Sequence, residues 1–191
     1  MHSNAMEQIL EAAEQRFAHY GYGKTTMAEI AADADMSVGN LYRFFKNKEA
    51  IALACTEKLL TAKLDAGLRA AASESTSCGA LRAFLLARLR LAHAYFADNR
   101  HLFELVELNS QHHMDLLLSY ENKVIDAMAN MLEQGMQNGD TRKGDAHRMA
   151  DLIHQSLLRY NNPISLRRNP LNQLETDMRD YLELLFSGLK P

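Results

Sequence analysis

The chain has 191 residues, 47% of them hydrophobic and 24% charged, a balance that excludes a disordered polymer and permits a full buried core. Its formal net charge of −3 excludes a protein that coats nucleic acid indiscriminately, so any DNA contact must come from a local patch. No apolar run of transmembrane length occurs and no basic segment precedes an apolar one at the start, so the expectation is a cytoplasmic chain that contacts no membrane.

Strand signals are nearly absent, proline falls only at positions 163, 170 and 191, and apolar residues recur at helical spacing. The expected fold is therefore all-α, with about nine helices. Residues 1–5, MHSNA, read as an expression-tag remnant outside the fold. Helices are predicted over about 6–20, 27–34, 38–45, 48–72, 79–97, 100–110, 113–138, 144–161 and 170–188. Stop signals at Gly21, Gly23, the Ser/Thr-rich stretch 73–79, Asn138-Gly139-Asp140 and Asn161-Asn162-Pro163 separate them. Helix lengths change near residue 47, which divides a small N-terminal three-helix domain over 6–50 from a larger C-terminal helical bundle over 51–191.

Within the first domain, Thr26-Met27-Ala28-Glu29 fits a capping box, and Met27, Ile30, Ala31 and Ala34 form one apolar helical face. Asp35-Met36-Ser37 then makes a turn, with Ser37 placed to cap a short helix anchored by Leu41 and Phe45. Two short helices joined by such a turn form the geometry that puts the second helix in the DNA major groove. Its outward residues have the required chemistry: Asn40 can pair with adenine, Arg43 with guanine, and Val38 or Phe44 can meet a thymine methyl. Thr26, Ser37 and Tyr42 hydroxyls suit phosphate oxygens, and Lys46 and Lys48 supply charge near the next helix start. Residues 1–50 hold five Lys/Arg against seven Asp/Glu, yet Arg43, Lys46 and Lys48 are concentrated in one short stretch, a focused basic spot on an acidic domain.

The stretch Gly21-Tyr22-x-x-Thr25-Thr26-Met27-x-x-Ile30-Ala31, followed by Ser37-x-Gly39-Asn40-Leu41-Tyr42-x-x-Phe45-x-Asn47-Lys48-Glu49, resembles the N-terminal signature of TetR-family repressors. The resemblance covers about a quarter of the chain. It implies a sequence-specific regulator, a repressor released from a palindromic operator in double-stranded DNA by a small-molecule effector. Thr26, Ser37, Val38, Gly39, Asn40, Tyr42, Arg43, Phe44 and Lys48 fall at positions where such repressors touch DNA, with Gly39 allowing close approach to the duplex. Phe44 departs from the polar or ring-nitrogen side chain more usual at its position.

By the same resemblance, residues 51–191 form the ligand-binding and homodimerisation domain. Tyr95, Phe96, Phe103, His113, Tyr120, Met128, Met131 and His154 are the candidates for an apolar, adaptable pocket with orienting polar groups, and His112, Asn109 and Gln111 interleave with them. Leu152, Leu157 and Tyr160 on one late helix, with Met178, Leu182 and Leu185 on the last, are the candidates for a two-fold interface.

Other chemistry carries less weight. His147, Asp151 and His154 share a helix face without a further ligand at set spacing, so no metal is expected. Cys55 and Cys78 lack paired spacing and read as small buried hydrophobes, a thiol redox switch being the lesser reading. Glu104 and Glu107 read as one solvated face. No nucleophile elbow, phosphate loop or dinucleotide fingerprint is present, so neither enzymatic activity nor a cofactor is expected. The Tyr42, Arg43 and Phe44 patch would also suit a protein-binding adaptor, whose signature is the lack of salt-linked DNA affinity.

Overall fold

The computed structural model describes residues 2–97, 99, 101, 105, 106, 108 and 111–189. Among them are nine α-helices and no strand: α1 His2–Tyr20, α2 Met27–Asp33, α3 Val38–Phe44, α4 Lys48–Ala71, α5 Ser77–Phe96, α6 Met114–Asn138, α7 Ala146–Ser156, α8 Pro163–Arg168 and α9 Leu171–Ser187. The all-α architecture is as the apolar spacing predicts.

Two of the expected helices differ at their boundaries. Helix α1 begins at His2, so residues 2–5 continue the helix rather than lying outside it. The helix expected over 144–161 ends at Ser156 and passes through a 3-10 turn, Leu158–Tyr160, into the separate helix α8. Asn162 accounts for α8: its side chain accepts from the Ile164 and Ser165 N–H groups, and Pro163 at the first helical position has no N–H to leave unpaired. A stop signal in the sequence is thus also a start signal. Most of the helix expected over 100–110 lies outside the described residues.

The chain forms two compact units, residues 1–60 with 99–117, and residues 61–98 with 118–191. The seam falls within α4 rather than at residue 50, and a later segment rejoins the first unit. In the first, α1 packs on α2 and α2 on α3 around Ile9, Ala13, Phe17, Ile30, Ala31, Leu41, Ile51 and Ala52, all fully buried. Each Leu, Ile or Phe so buried contributes roughly 1.5–3 kcal/mol.

Helix α5 organises the second unit. It buries Leu81, Phe84, Leu85, Leu89, Ala92 and Phe96 on one stripe and packs against α8 and α9. Helix α9 answers with Leu174, Met178, Leu182 and Phe186, buried at a strict i, i+4 repeat. Helix α6 closes on Gly139, whose φ of 80° lets the Asp140 N–H reach the Gly135 carbonyl at 2.8 Å.

At Gly67, α4 lies directly against side chains of α5. A Cβ there would stand 2.6 Å from Phe84 Cδ2 and 3.0 Å from Arg88 Cγ. Both neighbours are fully or nearly fully buried and have nowhere to move. Gly67→Ala is accordingly expected to destabilise the protein by about 1–3 kcal/mol through overpacking, against the usual gain from alanine in a helix. Denaturant unfolding followed by circular dichroism reads this as a lowered midpoint; an unchanged or raised midpoint contradicts the packing described.

Candidate nucleic-acid interface

Helix α2 starts on its capping box. Thr26 Oγ1 accepts from the Glu29 N–H at 3.3 Å, while the Glu29 carboxylate accepts from the Thr26 N–H and hydroxyl, both at 2.8 Å. Donation from Thr26 holds the Glu29 carboxyl below the usual carboxylate range, so the box contributes fully above that range and is lost as pH falls through the lowered value. The helix ends in a Schellman turn: Met36 N–H bonds the Ala31 carbonyl at 2.9 Å, Asp35 N–H bonds Ala32 at 3.2 Å, and Asp35 takes φ of 58°. That left-handed residue turns the chain, and Ser37 then caps α3 by accepting from the Asn40 N–H. Arg16 of α1 bonds Asp33 and Glu29 of α2, fixing the pair against each other.

Helix α3 is held from beneath by Leu41 and Phe45. Its opposite face presents Ser37, Val38, Gly39, Tyr42 and Arg43 to solvent, with Asn40 and Phe44 half-buried beside them and Lys46 exposed just beyond. Tyr42 is 53% exposed, a large aromatic that nothing within the chain requires to be outside. These side chains form one projecting strip of hydrogen-bond donors, apolar contacts and positive charge, sized and shaped for a groove.

Two residues expected at the interface are occupied elsewhere. The Thr26 hydroxyl gives its proton to Glu29, so it does not stand ready to donate to phosphate. Lys48 Nζ donates to the Tyr22 and Thr25 carbonyls at 2.6 and 2.8 Å and lies over the Tyr22 ring, tying the α1–α2 connection to the start of α4. Spacing alone could not reveal that role, because the carbonyls it meets are more than twenty residues earlier.

Gly39 is informative through what surrounds it. A Cβ there would meet nothing within 4 Å, so the chain's own packing does not call for glycine in this helix. Gly39→Ala is expected to raise stability by about 0.5–1 kcal/mol and at the same time to weaken DNA binding roughly fivefold, as the added methyl displaces the duplex. Thermal unfolding and DNA titration on the same preparation check the two halves; stronger or unchanged DNA binding contradicts close approach at this position.

His112 and His113 lie at the base of this unit, within 3.1 and 3.2 Å of Glu49 Oε1. Donation from His112 chiefly holds Glu49 below its usual range. His113, expected in the effector pocket, therefore belongs to the first unit. The other pocket candidates lie in the second, except Phe103, which with Asn109, Glu104 and Glu107 lies outside the described residues. Phe96, Tyr120, Met128, Met131 and His154 are buried and Tyr95 is half-buried. A cleft of about 560 Å³ among α4, α5 and α6, lined by Leu68, Thr76, Lys123, Asn130, Met131 and Gln134 among others, shares only Met131 with the expected set.

Tyr120 and His154 do come together, around residues that the sequence reading missed: Arg88, Lys63 and Glu121. The signal was present. Position 88 falls on the same i, i+3, i+4, i+7 stripe as Leu81, Phe84 and Leu85, where an arginine must be buried if the helix is. The metal candidates disperse, His147 facing Asp126 and His154 facing Glu121, and among the described residues no group of three metal-ligating side chains occurs. Burial pushes the Cys55 thiol well up, away from the reactive thiolate.

The interface candidates divide. Leu157, Tyr160, Met178 and Leu182 are buried inside a single copy and offer no surface to another, because their apolar faces are already covered by the subunit's own helices. Leu185 is half-buried, whereas Leu152 is 49% exposed and Leu184, which the sequence reading passed over, is 75% exposed. No described helix is long and apolar enough to cross a membrane.

Residues 9–55 match the family model for bacterial regulatory proteins of the tetR family, and residues 79–180 match the tetracyclin repressor-like C-terminal domain. Over 41 residues the chain is 51% identical to an uncharacterized HTH-type transcriptional regulator, YhgD of Bacillus subtilis (strain 168), a match spanning 22% of either chain. It is 27% identical over 144 residues to the HTH-type transcriptional regulator QacR of Staphylococcus aureus (strain Mu50), covering 72% of this chain and 73% of that protein. Among solved structures, a transcriptional regulator from Cytophaga hutchinsonii ATCC 33406 superposes with a TM-score of 0.73 at 25% identity, over 97% of this chain and 98% of the other. With both its helix-turn-helix and its C-terminal region matched, the chain belongs to the TetR family of DNA-binding transcriptional regulators.

Proposed function

We propose that the chain is a cytoplasmic repressor that occupies a palindromic operator as a two-fold homodimer and leaves it when a small molecule binds the second unit. The observation that carries this reading is the projecting strip of α3, where Tyr42 and Arg43 stand outside a fully packed three-helix unit. Tyr42 and Ser37 fit phosphate and sugar positions, Arg43 and Asn40 fit base edges, and Lys46 adds charge at the rim. A single reading head is net acidic, with five Lys/Arg against seven Asp/Glu over residues 1–50. Useful affinity then calls for two copies at fixed spacing.

Exposed Leu152 on α7 and Leu184 on α9 support a symmetric contact between the outer faces of these helices in two subunits. Release follows if the effector binds more tightly to a dimer whose heads no longer match both half-sites, since only differential affinity can shift that population. Fluorescence anisotropy of labelled operator, titrated with a panel of small metabolites, tests the response: at least one compound should weaken operator binding tenfold or more, and uniform indifference across the panel contradicts it.

A further inference from the structure

Among the described residues Arg88 is the largest fully buried side chain, at 2% exposure, and it makes no ion pair there. One terminal N–H donates to the Tyr120 hydroxyl at 3.0 Å, and the guanidinium lies against the Phe84 and Tyr120 rings. Its Nε is buried without any hydrogen-bond partner, and no described carboxylate reaches it at ion-pair distance. A second buried cation stands nearby. Lys63 of α4 is 5% exposed, points at the same Tyr120 ring, and makes a single long hydrogen bond of 3.4 Å to Asn161. Burial, together with the Arg88 charge, pulls the Lys63 ammonium down to about 7.

One carboxylate belongs to this group, Glu121, and it is already engaged by His154 Nε2. Glu121 is also only half-buried, so Arg88 keeps a full positive charge in the interior with no described carboxylate at ion-pair distance, and Lys63 adds a further cation in part. An unmatched buried charge is costly, because a buried ion needs both a counter-charge and acceptors for its donors. The helices that carry these groups also bury apolar side chains: Val124 and Met128 on α6, Leu89 on α5, Ile153 on α7 and Leu157 at its C-terminal cap.

We propose that Arg88 and Lys63, set about Tyr120, hold the carboxylate of a monoanionic effector whose remaining body is apolar. The proposal rests on the ligand-responsive reading above and specifies the chemistry of its ligand. A planar carboxylate offers two acceptors to a guanidinium fork, which satisfies the orphaned Nε and supplies the counter-charge that Arg88 lacks. Tyr120 positions Arg88 for this, and the His154–Glu121 pair keeps the internal carboxylate from taking the ligand's place.

Calorimetric titration of the full chain with two matched pairs of probes tests the site: octanoate against octan-1-ol, and 4-butylbenzoate against 4-butylbenzyl alcohol. At least one carboxylate should bind about tenfold or more tightly than its alcohol, as expected for charge-assisted hydrogen bonds. Arg88→Gln, checked for folding by circular dichroism, should lower that affinity by a similar factor. Lys63→Met provides a second test, since replacing a buried lysine by an apolar side chain keeps the fold and should still weaken carboxylate binding. Alcohols that bind as well as carboxylates, failure of both carboxylates to bind, or folded variants with unchanged affinity each overturn the proposal. Operator binding measured on the same samples separates the two claims. A carboxylate that binds without releasing operator contradicts the ligand-responsive reading and leaves the site standing, whereas release by an uncharged compound alone contradicts the site and leaves that reading intact.

Discussion

Replacing Tyr42 and Arg43 together by alanine is expected to abolish specific operator binding, lowering affinity by about a hundredfold or more while the protein stays folded. The magnitude follows from the contacts. A bidentate arginine–guanine pair is worth roughly 1–3 kcal/mol against a wrong base, and the loss of an anchoring phosphate contact adds to it. Folding should survive because both side chains are exposed and bear none of the helix packing, which rests on Leu41 and Phe45. Lys46→Ala makes the contrasting case. It should weaken binding to all sequences alike and reduce the slope of affinity against salt by about one counterion. Titrations at several salt concentrations, with specific and scrambled DNA, separate the two effects; a double variant that still prefers its operator contradicts the assignment of α3 as the reading helix.

The second large effect concerns assembly. Leu152→Asp combined with Leu184→Asp is expected to yield a folded monomer whose operator affinity falls by a factor on the order of 10²–10⁴, the loss of effective concentration between two linked heads. Both leucines are already substantially in water, so an aspartate costs the isolated subunit little, but it places buried like charges at a contact between two copies. Light scattering coupled to size exclusion measures the mass, and circular dichroism the fold. The same substitution at Leu182 should instead unfold the subunit, because that side chain is fully enclosed. A double variant that remains dimeric contradicts the proposed face.

The difference between Leu184 and Leu182 shows what helical periodicity can and cannot convey. Spacing identified α9 as amphipathic, and its buried stripe is the one the repeat predicts. It could not tell whether that stripe is covered by the subunit's own α5 or by another copy, since both demand the same leucines. The helix-turn-helix was legible for the opposite reason. Thr26 to Glu29 and Ser37 to Asn40 are contacts within three residues, so the sequence contains both partners of each cap side by side. Lys48 was read without its partners and Arg88 was passed over, because the groups they meet are distant in sequence. A lysine beside a helix start resembles a phosphate ligand until Tyr22 and Thr25 are seen beneath it, and a charged residue in a long helix resembles a solvated one until its place on the apolar stripe is counted.

Selection of binding sites from random duplex DNA with the intact chain addresses the central claim most directly. The account predicts enrichment of an inverted repeat whose half-site centres lie about 10–10.5 base pairs, or a multiple of that spacing, apart, as two α3 helices related by a two-fold axis require. A pool that stays random after repeated rounds, or one enriched only for a single unpaired half-site, would contradict it.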